Sequence, residues 1–211
     1  MSKQNTSHAV MAQRYEDIDS LDDFPTPPWA TRLFLETVLG GKNKLQELSC
    51  LEPACNRGYM VRPLKEYFNE VKASDIHDYG FGDVKNFLDQ DYKEASYNWV
   101  ITNPPFKLAE SFIMEGLRVA QKGVAMLVRT VFIESIGRYE RLFSINPPTY
   151  FAQYVERVPM VKGRLDKKAS TATGYGWVVW IKDCNNPETL MKWIPPKRKQ
   201  YEFSSDYLDL G

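Results

Sequence analysis

Short apolar runs of strand length alternate with stretches of helical period along most of the chain, and that alternation limits the fold more than any other feature. The runs are Leu48 to Ala54, Val71 to Ile76, Tyr97 to Thr102 and Gly123 to Val128. Ahead of them, Trp29, Leu33, Phe34 and Val38 keep the spacing of an amphipathic helix that stops near Gly40-Gly41, with Thr26 as its N-cap and Pro27 in its first turn. Tyr59 to Phe68, Leu108 to Ala120 and Val131 to Phe143 also read as helices. Strand and helix in turn are the mark of an α/β fold, a mostly parallel sheet with helices on both faces. Tyr150 to Val158 and Gly176 to Ile181 add two strands, and Pro159 to Tyr175 between them reads as loop. Residues 1–19 are polar and lack periodicity, as a mobile arm does. A single domain is expected over 20–182, and the Pro-rich, charged stretch 183–211 reads as a tail.

Composition narrows the function. With 211 residues, 43% of them hydrophobic, one domain can bury a sizeable core. Lys plus Arg and Asp plus Glu are both 27, so no global field draws in nucleic acid and any such contact must come from a local patch. Cys50, Cys55 and Cys184 have no CxxC spacing, and there are only two histidines, so neither a disulfide framework nor a metal site is expected. No apolar run of membrane length and no charged-then-apolar leader is present, and a reducing cytoplasm is the expected home. Nothing in the residues sets an oligomeric state; a monomer is the expectation.

The strand-like run Tyr97 to Thr102 leads straight into Asn103-Pro104-Pro105-Phe106. The prolines fix φ and press the residues before them toward extended geometry, so the Asn103 amide and nearby carbonyls are held in aimed positions. Aimed acceptors suit a planar amino group. An exocyclic NH2 on a purine is a poor nucleophile because its lone pair is delocalised into the ring. If the Asn103 amide oxygen and the Pro104 carbonyl each accept one of its hydrogens, the nitrogen is drawn toward tetrahedral geometry and the lone pair is freed for attack. Pro105 braces the corner, and Phe106 would stack on the ring. Such catalysis rests on positioning and fixed dipoles and requires no titrating base. A plain strand-to-loop exit uses the same residue types. Asn146-Pro147-Pro148-Thr149 supplies the comparison: it follows a helical pattern, precedes a strand, lacks the aromatic, and reads as a turn.

Earlier in the chain, Glu52, Pro53, Ala54, Cys55, Asn56, Arg57 and Gly58 join a strand to a helix through a tight loop, an arrangement that cradles nucleosides. Asp75 ends the next strand 17 residues beyond Gly58, where a carboxylate can take both hydroxyls of a ribose. A mere surface acid is the alternative. Asn86-Phe87 pairs a polar residue with an aromatic, as needed to read and sandwich an adenine ring. The helix start at Thr26-Pro27 could offer amides to the carboxylate of a cofactor's amino-acid tail. His8 and His77 read as inert.

With these pieces in place, the chain resembles the phage-type DNA adenine-N6 methyltransferases, which use S-adenosylmethionine. The matching stretches are Phe24-Pro25-Thr26-Pro27-Pro28-Trp29-Ala30-Thr31, Leu51-Glu52-Pro53-Ala54-Cys55, Asp75-Ile76-His77-Asp78-Tyr79-Gly80 and Asn103-Pro104-Pro105-Phe106. They come in the family's order and span most of Phe24 to Ile181. The resemblance implies a Rossmann-like seven-strand methyltransferase sheet, mostly parallel, with an antiparallel C-terminal hairpin. It implies Thr26 near the methionine carboxylate, Glu52 to Gly58 under methionine and ribose, Asp75 with Ile76 at the ribose, and Asn86-Phe87 at the cofactor's adenine. Asn56 stands where the family usually has Gly and Asn86 where it usually has Asp, which bears on cofactor affinity.

The implied substrate is DNA, with the adenine flipped out of the duplex at a cost of about a few kcal/mol and stacked on Phe106, or on Tyr175 as a second candidate. Lys162, Arg164, Lys167 and Lys168 could meet phosphates or could be solvated surface; Lys197-Arg198-Lys199 reads as surface. Only this loop and the tail are left to read sequence, so short or relaxed target specificity is expected. The competing readings are adenine-N6 methylation of RNA, a protein-glutamine methyltransferase, which typically carries Tyr where Phe106 stands, and a catalytically dead adaptor that keeps the fold.

Overall fold

Strands buried on both faces and helices packed on either side of them assemble one α/β sandwich. The computed structural model describes residues 22–89, 91–184 and 188–208. In chain order these form α1 (Pro28–Thr37), α2 (Lys42–Leu45), β1 (Ser49–Glu52), α3 (Val61–Tyr67), β2 (Glu70–Asp75), β3 (Asp83–Val84), β4 (Tyr97–Thr102), α4 (Ala109–Val119), β5 (Ala120–Arg129), α5 (Ile136–Arg138), β6 (Tyr150–Tyr154), β7 (Tyr175–Ile181), β8 (Leu190–Ile194) and α6 (Arg198–Tyr201).

Successive side chains in the central strands point to opposite faces and so feed two separate cores. Cys50, Ile101, Ala125, Leu127 and Trp177 pack beneath α1 and α3, against Trp29, Leu33, Phe34 and Leu64. Their neighbours Leu51, Val100, Val124, Met126 and Val178 pack on the other face against Phe112 and Ile113 of α4. Phe34 stacks on Trp177 with ring centroids 4.1 Å apart, and burial of a side chain such as Phe34 or Leu33 contributes about 1.5–3 kcal/mol. The indole N–H of Trp177 donates to the Tyr154 hydroxyl, which donates to the Ala30 carbonyl, so these two side chains are paired within the core.

The sheet runs β3-β2-β1-β4-β5-β7-β6-β8, with β7 alone antiparallel to its neighbours. The antiparallel β6–β7 pair is the expected hairpin. Eight strands replace the expected seven: β8 lies parallel to β6, from Tyr150 opposite Leu190 to Tyr154 opposite Ile194, and its residues come from the stretch read as tail. The same stretch is anchored further on. Arg32 of α1, 4% exposed, donates to both oxygens of Asp206 at 2.9 Å and to both oxygens of Glu66 at 2.6 and 2.7 Å. In α6, Arg198 pairs with Glu202 at 2.7 Å, so the basic run 197–199 is not uniformly solvated.

Other boundaries shift for local reasons. Val131 to Phe143 is not one helix but a 3-10 turn (Thr130–Ile133), α5 and a π-helical turn (Tyr139–Phe143), broken where the Ser135 hydroxyl accepts from the Arg138 amide. Pro27, not Thr26, is the N-cap residue of α1, and no side chain caps it. Thr26 is instead buried, with its hydroxyl 3.8 Å from the Met160 sulfur. The second Asn-Pro-Pro is the turn expected of it, its Asn146 carbonyl accepting from the Trp180 indole. The expected arm at 1–19 lies outside the described residues. Among the described residues no helix is long and apolar enough to cross a membrane, and no group of three His, Cys, Asp or Glu could hold a metal ion. Cys50, Cys55 and Cys184 are free.

Strand order reverses between β1 and β4, and a crevice opens at the carboxyl ends of strands where that happens. Glu52, Asp75 and Asn103 all stand at that edge.

Candidate active site

Asn103 follows β4 directly. Its NH2 donates to the Phe24 carbonyl at 3.0 Å and to the Thr26 hydroxyl at 3.2 Å, with the Met160 sulfur 3.7 Å away. Two oxygens around one end of the amide fix that end as the nitrogen. The other end, Oδ1, is buried and has no partner. The next residues hold it there: the Pro105 carbonyl accepts from the Leu108 amide, and the Phe106 amide donates to Asp22 Oδ2 at 2.7 Å.

The segment Asp22 to Thr26 straps the corner to the loop after β1. Asp23 takes the Arg57 guanidinium at 3.0 and 3.1 Å and the Asn56 side-chain NH2 at 2.7 Å. Asn56 has φ of 49°, the left-handed region that favours Gly and tolerates Asn. Its side chain is tied to Asp23 and to the Arg57 amide. Its backbone N–H goes to Asp75 Oδ2 at 2.9 Å, while Asp75 Oδ1 accepts from the His77 amide at 3.0 Å. Two amides thus fix the Asp75 carboxylate and leave about half of its lone-pair positions free.

Glu52, 1% exposed, accepts on one oxygen from the Thr102 hydroxyl and from the Ala54 amide at 3.2 Å. Its Oε2 has no partner. Burial pushes the carboxyl up to about 8, against the pull of the Thr102 and Ala54 hydrogen bonds and with some help from the charge on Asp75. Burial thus favours the protonated form near neutral pH.

These groups surround a cleft that opens to solvent, with apolar walls and a few convergent polar groups, as small-molecule sites have. Of the residues singled out in the sequence, Thr26, Glu52, Pro53, Ala54, Asn56, Asp75, Ile76, Asn86, Phe87, Asn103 and Pro105 line it. Asn86 caps the turn Phe87–Asp89, accepting from the Leu88 amide and donating to Asp89. Phe87 packs against Phe112 with centroids 5.2 Å apart.

Several expected residues are placed elsewhere. Gly58, with φ of 78°, makes room for Phe81: a Cβ there would fall 2.4 Å from that ring, so the glycine serves chain packing rather than the cleft. Pro27 and Pro104 are buried outside the lining. The helix start at Pro27 is also a poor anion site, because Pro27 and Pro28 have no N–H and the Ala30 amide is bonded to the Pro27 carbonyl. Phe106 has the Phe24 ring 5.4 Å away and the Arg129 guanidinium over its face, 3.8 Å from its centroid, and it is not part of the cleft wall. Tyr175 is buried in the core beneath α1 and borders a separate groove. Lys162, Arg164, Lys167 and Lys168 are exposed; Arg164 pairs with Asp166 at 3.3 Å and Lys167 sits over the Tyr207 ring. Their loop starts at the site, since Gly163 donates to the Asp23 carbonyl at 2.8 Å.

The sequence reading missed Asp22, Asp23, Thr102, Met160 and Arg129. Only Asp22-Asp23 carried a signal, a doubled acid before a proline-rich helix start, and nothing local tied it to Arg57.

No protein-family model matches the sequence, and no curated protein does. Solved structures match the fold. A provisionally named RNA methyltransferase from Pyrococcus horikoshii superposes with a TM-score of 0.56 at 14% identity, over 82% of this chain and 96% of its own. The modification subunit of a provisionally named type I restriction enzyme from Vibrio vulnificus superposes with a TM-score of 0.58 at 14% identity, over 89% of this chain and 50% of its own. This chain has the methyltransferase fold. At that identity the likeness is one of fold, and the site must argue for its own chemistry.

Proposed function

We propose that the chain transfers a methyl group from S-adenosylmethionine to the N6 amino group of adenine in DNA. The observation that carries this reading is the Asn103 amide. Its nitrogen is saturated by Phe24 and Thr26, its oxygen is buried and unpartnered, and the residue stands in the wall of the cleft. A buried acceptor left without a donor costs about 1–3 kcal/mol, a cost removed when a ligand N–H arrives.

The residues fit the cofactor. Asp75, anchored by two amides, has free lone pairs for ribose hydroxyls, and Asn86 with Phe87 closes the lining where an adenine ring would lie. The unpaired Oε2 of Glu52 suits an ammonium group. When bound, S-adenosylmethionine supplies a methyl on a positively charged sulfur that departs as a neutral thioether. Asn103 Oδ1 draws on the target NH2, so that its lone pair forms the new bond, and the proton then shed passes to water. The corner's prolines keep that oxygen in place, and the buried surroundings keep its dipole unscreened. The target base leaves the duplex to reach it.

Incubation with labelled S-adenosylmethionine and, separately, duplex DNA, single-stranded DNA and structured RNA tests the reading. Label should appear as N6-methyladenine in DNA. Exclusive labelling of RNA would move the substrate, and absence of cofactor binding at millimolar concentration would leave only an adaptor.

A further inference from the structure

The stacking surface expected to receive the target base is already taken. Phe106 has the Phe24 ring at 5.4 Å and the Arg129 guanidinium at 3.8 Å from its centroid, and its ring contributes nothing to the cleft wall. Arg129 covers a face of the ring, and a base can stack on that face only if a neighbour gives way. Phe24 is held fast: it is 4% exposed, its carbonyl accepts from Asn103, and the acids on its N-terminal side are bonded to Phe106, Asn56 and Arg57.

Arg129 is held by little. Each of the other described arginines donates to a carboxylate or a carbonyl. Arg129 does neither among the described residues, and its Nε is buried with no partner. A guanidinium has five N–H donors, and a ring face compensates for their lost water only in part. The residue also has somewhere to go. It is the last residue of β5, and its chain neighbour Thr130 and cross-strand partner Tyr175 border an open groove with Gln153 and Arg157.

We infer that Arg129 keeps the stacking place on Phe106 in the free protein and, when the target base takes that place, moves to the DNA phosphate beside it. The inference rests on the methyl-transfer reading above. The exchange links base capture to backbone capture: the base covers the ring that the cation leaves, and the phosphate satisfies donors that the ring could not. A base that failed to enter would leave the arginine where it is.

Two measurements on the full chain test this. Fluorescence anisotropy with a duplex oligonucleotide, between about 50 and 200 mM salt, should show a log–log slope shallower by about 0.9 in Arg129→Met than in the unaltered protein. That difference is about a 3-fold smaller loss of affinity over the range. Arg129→Lys should keep the slope, because it keeps the charge. Equal slopes in Arg129→Met and the unaltered protein would overturn the phosphate contact, and a slope change seen with RNA but not with DNA would overturn the choice of partner. Melting temperature and cofactor binding confirm that the variants fold. In the second measurement, the ring current of Phe106 should displace the Arg129 Nε–H resonance of the free protein, and DNA should abolish that displacement. Its persistence with DNA bound would overturn the exchange. If the slope changes as expected but no methyl is transferred, the arginine contact stands and the methyl-transfer reading falls.

Discussion

Replacing Glu52 by Gln tests the electrostatics of the cleft. In the folded chain burial raises this carboxyl from an ordinary value of 4.5 to about 8, whereas the unfolded chain returns it to water. Its contribution to stability is therefore fully present below about pH 4.5 and is lost as pH rises through 8. Between those limits the folded protein holds a proton that the unfolded chain releases, at a cost of about 1.4 kcal/mol for each pH unit. A glutamine in the same place has no proton to hold. Urea melts of both proteins from pH 5 to pH 7.5 should show the variant gaining on the parent by about 3 kcal/mol across that range, whatever the constant difference in hydrogen bonding. The cofactor reports the same group from the other side. An ammonium placed against Oε2 favours the ionised carboxylate, so affinity of the parent for S-adenosylmethionine should rise about tenfold per pH unit between about pH 5.5 and 6.8, below the range where an α-amino group loses much of its charge. In Glu52→Gln the slope should vanish and binding should weaken. A pH-independent stability difference would refute the buried, protonated state. A flat binding profile with the stability difference intact would refute the ammonium contact alone.

Three further substitutions separate the parts of the site. Asn103→Ala should spare cofactor binding, measured by calorimetry, and lower methyl transfer by about 100-fold or more, since the aimed acceptor is gone; undiminished turnover would remove the proposed mechanism. Asp75→Ala should instead weaken cofactor binding, roughly 10- to 100-fold, by removing the ribose acceptor and loosening the Asn56 and His77 amides; an unchanged affinity would take Asp75 out of the site. Asp206→Ala leaves Arg32, 4% exposed, with Glu66 as its remaining carboxylate and should cost about 3 kcal/mol in urea denaturation; a loss below about 1 kcal/mol would mean that the C-terminal stretch is not latched to α1.

What the sequence made legible was local. Val124 to Leu127 are fully buried in the middle of the sheet, so an unbroken apolar run was a sound sign of a central strand. Asn103 follows β4 without a gap and Asp75 ends β2, so chain order alone put both at the crevice. The bonds that aim these groups were not legible, because they join distant residues. Asn103 is held by Phe24 across 79 positions and Arg57 by Asp23 across 34. β8 was missed for a related reason: Leu190, Met191 and Trp193 are exposed on an edge strand, so its five residues carry no apolar alternation. Gly58 misled because a glycine in such a loop fits a ligand or a neighbouring ring equally well, and here the neighbour is Phe81.

The charge of the cleft also separates this site from the other common use of its architecture. A dinucleotide fold presents free loop amides to a pyrophosphate after the first strand. Here the Asn56 amide is bonded to Asp75, the Arg57 side chain is neutralised by Asp23, and a third acid, Glu52, is buried in the wall. An anion entering that space would meet the Asp75 carboxylate and would leave Asn103 Oδ1 as unsatisfied as before. The orphaned Asn103 Oδ1 is an acceptor whose cost a ligand N–H removes, and Glu52 gives up its proton most readily to a ligand that brings positive charge. In the proposed reaction S-adenosylmethionine brings a cationic sulfur and an ammonium, and the base brings an amine.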